Sequence, residues 1–182
     1  NINAHSSGGA GLQGGIFLLK GGTLDRVTVD GCFTTGGSSA DGLSEIVYIN
    51  GSGALVRNSL FCRNNGVVTA PFRMDAGRLV NCTFANNTNS QTRATYGTTS
   101  GTRDYSRLGG LYLAGGSVTN CIFSGNWSYL AGGVTNLEVS AASLKKIGHS
   151  LVDDGSASFA AEGDHILIAD PKFVDAAAGD FR

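Results

Sequence analysis

Proline occurs only twice in these 182 residues, tryptophan and methionine once each, and charged residues make up just 15% of the chain. Glutamate and lysine, which sustain long helices, are scarce, so a protein built on long helices is excluded by composition. No run of lysine and arginine is present and the net charge is −1, which leaves nothing to hold a nucleic acid or an anionic membrane surface. The longest apolar stretches, such as Ile16 to Leu19 and Ile166 to Ala169, fall far short of the roughly 20 residues of a membrane-spanning helix. Cys32, Cys62, Cys82 and Cys121 are far apart and form no C-x-x-C pair, which removes the usual zinc and thioredoxin-like readings. Disulfides stay open beside the simpler reading of the four as small buried thiols.

Glycine is abundant instead, with 28 residues, and Val, Ile, Leu and Phe are spread along the whole chain, which argues against disorder. The main signal is an internal repeat. Val56 to Asn64, Leu79 to Asn87 and Val118 to Asn126 share the frame apolar, any, Asn, small, any, Phe, any, any, Asn. Degenerate copies lie at Leu24 to Val29 and Ile147 to Val152, so marker positions 26, 58, 81, 120 and 149 are spaced by 32, 23, 39 and 29 residues. Between copies a glycine pair or small residue opens a short apolar run, as in Gly14-Gly15-Ile16, Gly109-Gly110-Leu111 and Gly132-Gly133-Val134. Each period thus holds two or three short strands divided by Gly, Asn, Asp and Ser turns, with no helical periodicity.

If each period is one turn of a solenoid, equivalent side chains lie over one another at about 4.8 Å. The frame then predicts an inward Phe61, Phe84 and Phe123 ladder continued by Val29 and Val152, and a second inward column of Ser59, Cys82 and Cys121. Asn58, Asn81 and Asn120 are expected at a sharp bend in left-handed geometry, with Asn64, Asn87 and Asn126 doing the same one corner later. The polar stretch Thr88 to Arg107 reads as a surface loop leaving the helix.

The G-G-x-[IVLY] openers and the three F-x-x-N copies resemble the repeats of polymorphic outer-membrane proteins and related autotransporter-like β-helix passengers. Asp170-Pro171-Lys172-Phe173-Val174-Asp175 followed by Gly179-Asp180-Phe181-Arg182 is similar to the D-P-x-F-x-D and G-D-F-R-L ending of large bacterial β-helix surface proteins. The fold class expected is all-β: a right-handed single-stranded parallel β-helix of about five to six coils, one domain over 1–182 cut from a longer chain, with 163–182 as last coil or C-terminal cap. The resemblance implies a secreted or cell-surface, outer-membrane-associated location in bacteria, and adhesion, contact with a polysaccharide or host glycan, or a spacer role. It carries no catalytic residues over.

The remaining constellations are weaker. Gly9 to Gly14 spells the dinucleotide string G-x-G-x-x-G, but a glycine-led strand follows where the phosphate site needs a helix. His5, His149 and His165 are isolated, and no G-x-S-x-G elbow exists. Asp153, Asp154, Asp164 and Asp170 are oxygen ligands of the kind Ca²⁺ takes, without an EF-hand frame; they read as turn carboxylates, and no cofactor is expected. Strand alternation places Tyr48, Arg73 and Tyr112 in one outward row, a shallow glycan-contact stripe with Tyr96, Tyr105 or Trp127 at its margin. The rival class is a lyase or glycoside hydrolase acting on acidic polysaccharide, for which Arg57, Arg73 and Arg78 beside Glu45, Asp75 and Glu138 are the only material.

Overall fold

A computed structural model describes residues 17–34, 45–66, 70–90, 108–139, 146–153 and 165–181. Short strands follow one another in sets. The first set is β1 (Phe17–Leu19), β2 (Gly22–Asp25) and β3 (Thr28–Asp30). The second is β4 (Val47–Ile49), β5 (Ala54–Arg57), β6 (Leu60–Cys62) and β7 (Asn65–Gly66), and the third β8 (Phe72–Met74), β9 (Arg78–Val80), β10 (Thr83–Ala85) and β11 (Thr88–Asn89). The fourth is β12 (Leu111–Leu113), β13 (Ser117–Thr119), β14 (Ile122–Ser124) and β15 (Trp127–Ser128), followed by β16 (Gly133–Val134). Then come β17 (Leu137–Val139), β18 (Ile147–Gly148), β19 (Leu151–Val152) and β20 (Leu167–Ile168).

The chain is all-β over the described residues, and its strands stack in parallel in four sheets. Their orders are β1-β4-β8-β12-β17, β2-β5-β9-β13-β18, β3-β6-β10-β14-β19-β20 and β7-β11-β15-β16. The first three sheets therefore take one strand from each successive period, whereas the fourth takes both β15 and β16 from a single one. The single exception to parallel pairing among the described strands is β15 with β16, where the chain turns back through Gly132 and runs antiparallel. Thr88 and Asn89, expected to begin a loop, form β11 between β7 and β15; 91–107 lie outside the described residues.

Register explains the repeat. Val29, Phe61, Phe84, Phe123 and Val152 pair in sequence across the third sheet. The Phe61 and Phe84 rings stack with centroids 4.7 Å apart, those of Phe84 and Phe123 at 5.1 Å, and Phe72 meets the first two edge-on. One continuous core contains this column with Val56, Leu79, Val118, Met74 and Leu113.

A single left-handed residue bends the chain between the second and third sheets at Arg26, Asn58, Asn81, Asn120 and His149, and His165 before β20 has the same geometry, all with φ between 50 and 56°. Asparagine tolerates this region better than most residues. Here it also bonds along the column, with Asn81 Nδ2 donating to Asn58 Oδ1 at 3.1 Å and Asn120 Nδ2 to Asn81 Oδ1 at 2.6 Å. The His149 and His165 rings continue the column, stacked at 4.8 Å.

The second corner departs from expectation. Left-handed geometry falls on Arg63, Asn86 and Gly125, one residue before the expected asparagines, and on Gly31 at the equivalent place before Cys32. Asn64, Asn87 and Asn126 are instead fully buried and turned into the stack. Asn64 Nδ2 donates to Asn87 Oδ1 at 2.9 Å and Asn87 Nδ2 to Asn126 Oδ1 at 2.8 Å. The second proton of each amide goes to the carbonyl of the central residue of a third-sheet strand, on Val29, Phe61 and Phe84 for Asn64, Asn87 and Asn126 respectively. A polar column survives in the core because its donors and acceptors are used.

Beside it runs a hydroxyl and thiol column. Ser59, Cys82, Cys121 and Ser150 each donate to the carbonyl two residues back, and three of them accept a backbone N–H from the preceding period, Val27 to Ser59, Cys82 to Cys121 and Cys121 to Ser150. All four cysteines are free and buried.

Candidate functional site

The expected row of Tyr48, Arg73 and Tyr112 exists as a register, because Tyr48 pairs with Arg73 and Arg73 with Tyr112, and Glu138 follows. It is not an open stripe. Tyr48 is only 8% and Tyr112 only 4% exposed, and Tyr112 packs with Ala70 and Leu108, so neither ring offers a face to a sugar. Instead the row is knitted together. Arg73 grips Asp75 through Nε and an η nitrogen at 2.9 and 2.8 Å, Tyr48 Oη donates to Asp75 Oδ2 at 2.6 Å, and the guanidinium lies 5.1 Å from the Tyr48 ring centroid. Burial lowers the Arg73 pKa, but the bonds to Asp75 and its charge outweigh this and raise it; burial and Asp75 raise that of Tyr48. Glu45 is buried beside this group with Oε2 unpartnered among the described residues, and burial pushes its carboxyl up to about 7.

Aromatic exposure occurs on the fourth sheet. Trp127, expected at the margin of the stripe, is 40% exposed there, and Tyr129, in the turn that follows β15, is 60% exposed. Pairing across the sheet runs Phe33, Asn65, Thr88, Trp127, Val134. Phe33 is 38% exposed, and the alternate residues Thr34, Gly66, Asn89 and Ser128 face inward and are buried. One row therefore carries a ring at Phe33, the half-buried Asn65, whose Oδ1 is buried, the half-buried Thr88, whose hydroxyl lies 3.5 Å from the Asn64 carbonyl, and a second ring at Trp127. Three strand spacings of about 4.8 Å separate the two rings.

Sequence reasoning missed Phe33, Asn65 and Thr88. The signal was present: each stands four residues after its Phe-column residue, as Trp127 does after Phe123. Tyr96, Tyr105, His5, Asp154, Asp164 and the Gly9 to Gly14 string lie outside the described residues. Among the described residues, no cluster of three or more His, Cys, Asp or Glu side chains is placed to hold a metal, and no helix is long and apolar enough to cross a membrane.

No family model, curated protein or solved structure matches this chain. Its function has to be argued from its own geometry. The fourth-sheet row combines ring faces with hydrogen-bonding groups, the mixture that engages the apolar faces and hydroxyls of sugars. The acid and base material is divided. Arg57 and Arg78 belong to the second sheet, whereas Arg73, Asp75 and Glu45 belong to or border the first.

Proposed function

We propose that the chain is a segment of a right-handed parallel β-helix from a secreted or cell-surface bacterial protein, and that it contacts saccharides, without catalysis, through the outward row of its fourth sheet. Stacking of successive periods in all four sheets supports the β-helix reading. The saccharide reading rests on one observation: Phe33 and Trp127 are exposed in a single outward row, with Asn65 and Thr88 between them. Large rings are usually buried for the apolar area they remove from water, and several exposed on one face mark a contact surface. A lyase or hydrolase needs an acid or base that reaches its substrate. Glu45 is 1% exposed, and Asp75 is taken up by Arg73 and Tyr48.

A glycan array tests the proposal. Trp127→Ala with Tyr129→Ala is expected to weaken the retained glycans about tenfold, at roughly 0.5 to 1.5 kcal/mol per ring. Val174→Ala, an exposed apolar site outside the row, leaves them unchanged. An array on which the intact chain retains no glycan, or on which the double variant binds equally well, overturns it.

A further inference from the structure

After β20 the chain folds back over the repeats instead of ending on the last one. Asp175 and Asp180 exchange backbone hydrogen bonds at 3.2 and 2.8 Å, and Phe173 meets Phe181 edge-on at 5.2 Å, so the returning segment is a small closed turn. Two contacts seat it far from its own strand. Asn86 Nδ2 donates to the Ala176 carbonyl at 3.2 Å, and Gly179 lies so close to the Arg63 guanidinium that a Cβ there would be 2.5 Å from it.

A groove of roughly 420 Å³ separates this turn from the corner between the second and third sheets. That is within the range of small-ligand sites, about 300 to 1,000 Å³. Its lining includes Arg26, Asn58 and Asn81 of the left-handed column, Thr28 and Thr83 of the third sheet, and Asp180 and Phe181 of the returning turn. Arg26 and Asp180 are the charged groups of the lining and cancel. Behind them Asp25 is occupied by Asn58 and Arg57, and Asp30 by Arg63. Asn58 Nδ2 donates to Asp25 and Asn81 Nδ2 to Asn58, and an amide nitrogen has two protons to give.

We infer that this groove is a second binding site, separate from the fourth sheet, and that it takes a short, uncharged oligosaccharide. Donors and acceptors are mixed along it as sugar hydroxyls require, the Phe181 ring supplies one apolar face, and no excess charge favours an acidic ligand. The site holds independently of the fourth-sheet reading, because it shares no residue with that row.

The test is nuclear magnetic resonance titration of the whole chain with cellotriose, maltotriose and chitotriose, with trigalacturonate as the acidic counterpart. At least one neutral trisaccharide is expected to shift the Asn58 and Asn81 side-chain amide signals with a dissociation constant of about 1 mM. Phe181→Ala then weakens binding at least fivefold, Thr83→Val, which keeps the side-chain shape, weakens it about threefold, and Trp127→Ala leaves it unchanged. Amides that do not move with any neutral trisaccharide, tighter binding of trigalacturonate, or shifts indifferent to both Phe181→Ala and Thr83→Val would each overturn the inference. Loss of binding with Trp127→Ala would show that the two sites are not separate and overturn it as well.

Discussion

Asn126 donates its side-chain amide to Asn136 Oδ1 at 2.7 Å across ten residues of chain, whereas the equivalent bonds from Asn64 and Asn87 span 23 and 39. The antiparallel return of β16 thus supplies a rung from within the same period. Asn136 passes its own proton to Asp153 Oδ1 at 2.6 Å, and Asp153 also accepts from Ser124 and the Gly125 N–H. Asn136→Ala would leave the Asn126 N–H and amide without their acceptor in the core. We expect a loss of about 2 to 3 kcal/mol, since an orphaned buried donor costs its full desolvation. Urea unfolding checks this as a lower midpoint at unchanged slope.

The phenylalanine column makes a larger claim. Phe84 is buried between Phe61 and Phe123 and touches Phe72, so Phe84→Ala removes three ring contacts at once. A loss of about 3 to 5 kcal/mol is expected. Phe84→Leu should recover part of it, and a loss under about 1 kcal/mol in the alanine variant would mean that the column does not organise the core.

The column was legible because a stacked repeat forces like residues to like places, and the F-x-x-N frame records both the ring and the buried amide. What the frame did not disclose was which way each asparagine turns. Asn58 and Asn64 look alike in sequence, yet Asn58 adopts left-handed geometry while Arg63 takes that geometry in place of Asn64. The burial of Tyr48 was equally illegible. Alternation gave its side of the strand correctly, but packing by residues remote in sequence, among them Asp75, decides whether that side meets water. Trp127 and Phe33 were separable from the core only once their offset from the Phe column was applied.

The Gly109-Gly110 opener has a steric cause that is open to test, unlike Gly132-Gly133, where a Cβ would meet nothing within 4 Å. A Cβ on Gly110 would lie 1.9 Å from the Asn136 carbonyl oxygen, and one on Gly109 would lie 2.4 Å from that of Trp127, because neighbouring strands pass there. A Cβ on Gly53 meets nothing within 4 Å. Gly110→Ala is expected to cost more than about 2 kcal/mol, whereas Gly53→Ala stays within about 1 kcal/mol of the parent. Melting temperatures that fall equally for both variants would refute the steric account.

Cys82 occupies a column that accepts serine at Ser59 and Ser150, with the same bond to the carbonyl two residues back. Cys82→Ser should therefore be tolerated within about 1 kcal/mol, although serine buried at most positions costs more. Burial also holds the Cys121 thiol well above its ordinary range. Both thiols should resist a disulfide-exchange reagent until the protein unfolds. Fast labelling of the folded chain would contradict the buried column.

Glu45 makes stability depend on pH in a direction opposite to that of an ordinary paired carboxylate. Burial raises its pKa from 4.5 to about 7, the Asp75 charge adds to the rise, and Arg73 opposes it. The folded state therefore holds the proton more tightly than the unfolded one. The stabilisation is fully present below the unfolded value and is lost as pH climbs towards about 7, roughly 3 kcal/mol over that window. Asp30, whose pKa the Arg63 bond lowers, acts in the opposite sense but only in the more acidic range. The urea midpoint should fall between about pH 5 and pH 7.5 in the parent chain. Glu45→Gln carries a neutral amide at every pH, so its midpoint should stay level and exceed the parent's at about pH 8. An unchanged slope in Glu45→Gln would assign the pH dependence to another group.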